Sequence, residues 1–207
     1  MPVIALVGNK GGAGKTTLTV NLAVGLGQIG EVVILDTDPQ GSSTQWRSIS
    51  EDNTIPRVIS ATDNLLAEVH NLTTQYDYVV VDCPPSVQAM QTLSILQVSD
   101  LALIPVQPSP FDLWASIHIE HAVFEARDKN PNLRAMLVIN QLEPRTMLSQ
   151  LMREALSEIK VPVADTAIRR RAVYRASALE GRSVFSMGKR GAEAVDELNL
   201  LIKEVTA

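Results

Sequence analysis

Cysteine occurs once among 207 residues, at Cys83. A lone thiol closes no internal disulfide and supplies no zinc or iron–sulfur site by itself, so disulfide scaffolds and redox modules fall away. The three histidines, His70, His118 and His121, lie outside every motif described below and read as helix-surface or core residues. Without a histidine beside it, Cys83 reads as a small buried filler, not a nucleophile. No stretch reaches the ~18 apolar residues of a membrane span. The opening run from Met1 to Val7 lacks a basic leader segment, and it ends at Gly8 in a glycine loop where a secretory leader would carry a small-residue cleavage site. A buried first strand and a cytoplasmic location are therefore expected. Repeats, linkers and low-complexity segments are also missing, and the chain reads as one domain over residues 1–207.

What is present is a globular balance of 45% hydrophobic and 20% charged residues, with a net charge of -5. A folded acidic protein repels phosphate on average, which argues against nucleic acid. The charge is unevenly spread, however. Arg169, Arg170, Arg171, Arg175, Arg182, Lys189 and Arg190 place seven of the 18 basic residues in 22 positions, against the single acid Glu180.

Short runs rich in Val, Ile and Leu alternate with helical stretches, the sign of strand–helix–strand units and a mostly parallel sheet. Strands are expected at Val3 to Val7, Val32 to Leu35, Arg57 to Ile59, Tyr78 to Val81, Leu101 to Pro105, Met136 to Ile139 and Val161 to Val163. Several are continuously apolar, which suits strands covered by helices on both faces. Helices are expected at Lys15 to Gln28, Asn64 to Thr73, Val87 to Gln97, Asp112 to Asp128, Thr146 to Ile159, Ala172 to Glu180 and Gly191 to Val205. The fold class is α/β, a P-loop domain with a twisted, mostly parallel sheet of about seven strands.

The first strand runs directly into Gly8-Asn9-Lys10-Gly11-Gly12-Ala13-Gly14-Lys15-Thr16-Thr17, and a helical pattern follows. Strand, glycine loop and helix in that order make a phosphate cradle: glycines let the backbone turn its N–H groups inward, and the helix N-terminus adds its dipole. Gly11, Gly12, Ala13, Gly14, Lys15, Thr16 and Thr17 are the candidate nucleotide-binding residues, with Lys15 on the outer phosphates and the Thr16 hydroxyl on magnesium. The second strand ends in Asp36-Thr37-Asp38-Pro39-Gln40-Gly41, carboxylates at a parallel strand end that need a cation. Val79-Val80-Val81-Asp82-Cys83-Pro84-Pro85 places a further acid, Asp82, where magnesium is held. Asp112, after Pro108-Ser109-Pro110-Phe111, reads as a helix cap.

The usual P-loop pattern has glycine where this chain has Asn9, followed by a second lysine, Lys10. That variant, together with Asp36 to Gly41 and Val79 to Ser86, resembles the ParA/MinD family of deviant Walker ATPases from Val3 to about Val184. The resemblance implies ATP and Mg2+ as ligands and a homodimer in the ATP state, with Lys10 reaching the partner subunit's phosphates. It implies that Asp38 positions the attacking water and that Asp36 and Asp82 support the magnesium around Thr16, so that Lys10, Lys15 and Asp38 are the catalytic group. Asn140 occupies the place of an adenine-contacting amide. The basic island, with Arg169, Arg170, Arg171 and Arg175, resembles a face that binds DNA without sequence preference, and arginines at helical spacing suit phosphate tracking. By the same resemblance the chain is a nucleoid-associated positioning ATPase stimulated by a ParB-like or McdB-like partner. Plasmid partition is the first expectation for its cargo and carboxysome positioning the second. Membrane attachment is not expected, because the last helix carries Glu193, Asp196, Glu197 and Glu204 against Lys203. A small-molecule synthetase of the dethiobiotin synthetase type shares the loop and is the enzymatic alternative.

Overall fold

The computed structural model describes residues 2–143, 146–156 and 158–207. Seven parallel strands form the sheet: β1 (Val3–Leu6), β2 (Val32–Asp36), β3 (Arg57–Ser60), β4 (Tyr78–Asp82), β5 (Leu101–Val106), β6 (Arg134–Leu142) and β7 (Ile168–Arg169), in the spatial order β3-β2-β4-β1-β5-β6-β7. Among the described residues eight α-helices connect or flank them: α1 (Lys15–Leu26), α2 (Ser42–Ile49), α3 (Leu65–Thr73), α4 (Met90–Leu96), α5 (Pro110–Arg127), α6 (Met147–Leu156), α7 (Ala172–Leu179) and α8 (Ala192–Thr206).

Alternation along β1 divides the core in two. Val3, Ala5 and Val7 pack with residues of α3 to α6 on one face, whereas Ile4 and Leu6 pack with α1 and α8 on the other. Every residue of β1, β2 and β5 is buried, which is why those strands are apolar throughout instead of alternating. Register then aligns the chemistry. Leu6, the last residue of β1, lies beside Asp82 on β4 and Leu103 on β5, and Asp82 lies beside Asp36 on β2, so the loop after β1 rises at the edge where both acids end their strands.

The expected strands and helices stand within a few residues of their expected bounds, with one strand corrected and one helix added. Val161 to Val163 is not a strand; Val163 makes an isolated bridge to Leu137, and Pro162, which has no N–H, interrupts any longer ladder. The seventh strand is instead the two-residue Ile168–Arg169, too short to show a period. The unexpected helix is α2, where only Ser43 and Trp46 are buried, so its mostly polar, Ser-rich sequence buries a single large apolar side chain.

Candidate functional site

The loop between β1 and α1 is shaped by side chains that seize its carbonyl oxygens. Asn140 Nδ2 donates to Ala13 O at 2.7 Å, Gln107 Nε2 to Gly12 O at 2.6 Å, and Gln141 Nε2 to the same Gly12 oxygen at 3.2 Å. Gly12 and Gly14 take positive φ of 83° and 92°, the left-handed region that favours glycine. A Cβ on Gly14 would stand 2.3 Å from Asn140 Nδ2, so the position requires glycine for space as well as for φ. No side chain caps α1. Its first N–H groups are thus left for an anion. Lys15 arches over Gly8, and its Nζ donates to Lys10 O at 3.2 Å. Burial pushes the Lys15 ammonium below its ordinary pKa, and the charge of Asp82 opposes that shift.

The acids divide their tasks in a way that sequence does not show. Asp82 is 1% exposed, accepts from Ser43 Oγ at 2.6 Å and from Thr19 Oγ1 at 3.4 Å, and is raised by burial to about 6 although Ser43 and Thr16 oppose the rise. Such a carboxylate gains from a cation. Asp36 turns instead to α2: its Oδ2 accepts from Thr44 N at 2.8 Å and Thr44 Oγ1 at 2.9 Å. Anchored there, α2 carries the Ser43 hydroxyl to Asp82. Asp36 therefore anchors α2 in this structure while it stands beside Asp82 at the strand ends. Asp38 is half-buried and accepts from Gln40 N at 2.9 Å, which leaves a carboxylate at the loop mouth held by its own turn. Burial also pushes the Cys83 thiol up to about 12, in keeping with an inert filler.

Asp112 lies inside the first turn of its helix, not before it. α5 starts two residues earlier, at Pro110, and Asp112, almost wholly buried, pairs with Lys10 Nζ at 2.5 Å. Lys10 itself stays 40% exposed. Asn9 has a role that its departure from the glycine pattern signals: Oδ1 accepts from Val87 N at 3.1 Å, tying the cradle to the segment after β4.

Beside the cradle lies a cavity of 190 Å³ lined by Gly14, Thr17, Asn140, Gln141, Ile168 and Tyr174 among others. Gln141, at φ 56°, sits where β6 bulges between Asn140 and Leu142, and the bulge delivers both amides to the loop. Asn140 thus lines this cavity while bonded to the loop itself. Tyr174, from the basic island, also lines it, and its hydroxyl is buried without a hydrogen-bond partner among the described residues.

The basic island is partly neutralised by acids distant in sequence. Arg171 pairs with Glu193 and with Glu197 (2.6 Å), Arg169 with Glu197 (3.6 Å), and Arg170 with Glu143 (2.5 Å). Arg182 and Arg190 both approach Glu180, at 3.8 and 3.6 Å. Arg175 and Lys189 are exposed and have no ion pair among the described residues.

Against known proteins, the profile of the CobQ/CobB/MinD/ParA nucleotide binding domain matches residues 4–184. The chain belongs to that family. Among the relatives of this ParA/MinD-type domain, the maintenance of carboxysome distribution protein A of Halothiobacillus neapolitanus is 42% identical over 98% of this chain and 95% of its own length. The sporulation initiation inhibitor protein Soj of Bacillus subtilis is 29% identical over 99% and 98%. The solved Mg-ADP complex of the septum site-determining protein MinD from Pyrococcus horikoshii superposes with a TM-score of 0.76 at 21% identity, covering 100% of this chain and 97% of that one.

Asp82 also yields a pH prediction for the ParA/MinD-type domain free of nucleotide. Its folded pKa of about 6 exceeds the ordinary 3.8, so between those values the folded chain holds a proton that the unfolded chain has released. Stability therefore falls as pH rises through that window. Asp82→Asn should melt higher than wild type above pH 6, by roughly 1–3 kcal/mol, with the gap closing below about pH 4. Thermal melts across pH check this; equal melting at pH 7.5 would show that the buried carboxylate imposes no penalty.

Proposed function

We propose that this chain is an ATP-dependent switch: ATP joins two copies, the dimer holds nucleoid DNA without sequence preference, and a partner protein on the cargo stimulates hydrolysis and local release. The observation that carries the reading is Lys10, an exposed second lysine at the mouth of a phosphate cradle, held by Asp112 within its own subunit. A lysine placed there is surplus to a cradle that already has Lys15, and reaching a phosphate in a second subunit gives it a use. For the cargo, the carboxysome distribution relative aligned along nearly the whole chain supports carboxysome positioning ahead of plasmid partition, reversing the order expected from sequence. The partner is then of the McdB-like kind.

In this reading, backbone N–H groups of Gly11 to Thr17 and the Lys15 ammonium bind the phosphates, and Asn140 lies beside the base. Among the described residues no three His, Cys, Asp or Glu cluster as a metal cage. Magnesium between phosphates needs only one or two protein ligands, and buried Asp82 with the Thr16 hydroxyl fits it; the ion supplies neutralisation of phosphoryl charge. Asp38 orients water at the loop mouth, while Asp36 fixes α2 and, through Ser43, the direction of the Asp82 carboxylate. Lys10 leaves Asp112 when the partner's phosphates offer a denser negative charge. That exchange couples nucleotide to dimerisation.

DNA contact in this form falls to Arg175 and Lys189 more than to the arginine triplet, which is already paired. The test is retention on DNA by sedimentation with ATP, at rising salt. Wild type should bind only with ATP and release as ATP is consumed. Asp38→Ala should remain bound with hydrolysis down by about 100-fold, and Arg175→Glu with Lys189→Glu should dimerise yet lose the DNA. Wild-type hydrolysis in the first variant removes Asp38 from the mechanism, and undiminished retention in the second moves the DNA face elsewhere.

A further inference from the structure

Gly12 is a link of the cradle that packing leaves undecided. A Cβ built there would meet nothing within 4 Å, whereas one at Gly14 would stand 2.3 Å from Asn140 Nδ2. Glycine takes either sign of φ at little steric cost, so sterics alone do not settle which way the peptide between Gly12 and Ala13 faces. Hydrogen bonds settle it. Gln107, which directly follows β5, and Gln141, within the neighbouring β6, send their side-chain amides to one atom, the Gly12 carbonyl oxygen, at 2.6 and 3.2 Å. A carbonyl oxygen has two lone pairs, and this one has a donor for each.

We infer that Gln107 and Gln141 are positioning residues of the cradle: by holding the Gly12 oxygen they turn the N–H of Ala13 toward the phosphate that the loop takes. The peptide unit is planar, and no described peptide bond is cis, so C=O and N–H point to opposite sides of the chain and fixing one aims the other. The same relation holds at two nearby links. Asn140 on Ala13 O aims the N–H of Gly14, and Lys15 on Lys10 O aims that of Gly11. The backbone of Gln141 is shaped to this task. It is the one non-glycine residue with positive φ among the described residues, at 56°, and glutamine is not a type enriched there. Strain of that kind persists where the surroundings over-determine it. Successive side chains of a regular strand point to opposite faces, and the bulge between Asn140 and Leu142 breaks that alternation, so that Asn140 and Gln141 both reach the loop. The inference rests on the cradle binding phosphate, and it adds which side chains shape the loop before phosphate arrives.

Calorimetric titration of the full chain with Mg-ADP, melts without nucleotide and amide NMR test the assignment together. Gln107→Met keeps the length of the side chain and removes the donor, and Gln141→Gly removes the donor and the strain. Each alone should weaken ADP by about threefold, because the other amide still holds the oxygen. Together they should weaken it by at least about thirtyfold, beyond the product of the single losses, as the loop samples flipped peptides that cannot bind. Melting of the double variant should fall by no more than roughly 4 °C. Before nucleotide is added, the Ala13 amide resonance should be sharp in wild type and broadened by exchange in the double variant, while that of Gly14, still aimed by Asn140, stays sharp. Unchanged ADP affinity in the double variant overturns the inference, and so does a loss in which the Ala13 and Gly14 amides broaden together and melting collapses, since the glutamines would then be a structural brace. Lys15→Ala keeps the two failures apart. ADP binding retained there would remove the phosphate reading and this inference with it, whereas binding lost there and unchanged in the glutamine variants removes this inference alone.

Discussion

Lys15→Ala should abolish nucleotide binding, lowering affinity by two to three orders of magnitude, while leaving the fold as stable as wild type or slightly more so. The two halves of this expectation have one cause. Lys15 is 7% exposed, and burial lowers its pKa because little water solvates the ammonium, with Asp82, Cys83, Asp38 and a carbonyl oxygen of Lys10 near it opposing the shift only in part. A buried charge in that condition costs stability in the empty protein. Polyphosphate changes the balance by supplying dense opposite charge in a pocket of low dielectric, where each lost charge-assisted contact removes about 1.5–3 kcal/mol and the loss of the whole ammonium removes more. Titration with a fluorescent ATP analogue and a melt without nucleotide measure the halves separately. Retained affinity would remove the phosphate role; a collapsed melt would show that Lys15 is structural.

The exchange between Lys15 and the acids also shows what sequence made legible. The glycine loop, the strand ends at Asp36 and Asp82, and the parallel sheet all announce themselves through local order: an apolar run, then glycines or a carboxylate, then a helical period. Contacts between distant segments do not. Asp36 and Asp82 look alike as acids after β-strands, and their different partners depend on α2, a short polar helix without an apolar run, which bonds Asp36 through Thr44 and Asp82 through Ser43. Asp112 reads as a cap because it follows a proline-rich stretch, and nothing local signals that its carboxylate meets Lys10, 102 residues away in sequence. The basic island reads as unopposed because Glu143, Glu193 and Glu197 lie outside the 22-residue window in which it was counted. Charge density along a chain is a local quantity; charge in a folded protein is a matter of neighbours.

Gly14 gives the second large effect, and it separates two requirements that the sequence pattern folds into one letter. Gly14→Ala should abolish nucleotide binding as fully as Lys15→Ala does, and should also destabilise the chain by roughly 2–4 kcal/mol, since a non-glycine residue at φ 92° costs about 1–3 kcal/mol and the new methyl collides with Asn140. The collision is with Nδ2, the atom that donates to Ala13 O, so the methyl both strains the backbone and dislodges the amide that holds the loop carbonyl outward. Asn140→Ala alone removes the hydrogen bond and should weaken nucleotide binding by about tenfold, within the roughly 1–3 kcal/mol of a partner lost from a buried bond. Combined with Gly14→Ala it opens the space but leaves φ unchanged. The double variant should therefore recover part of the stability and none of the binding, a non-additive cycle read by melting and by ATP titration. Full recovery of binding in the double variant would mean that steric room alone makes Gly14 necessary, and that the left-handed turn is incidental to how the loop presents its N–H groups to phosphate.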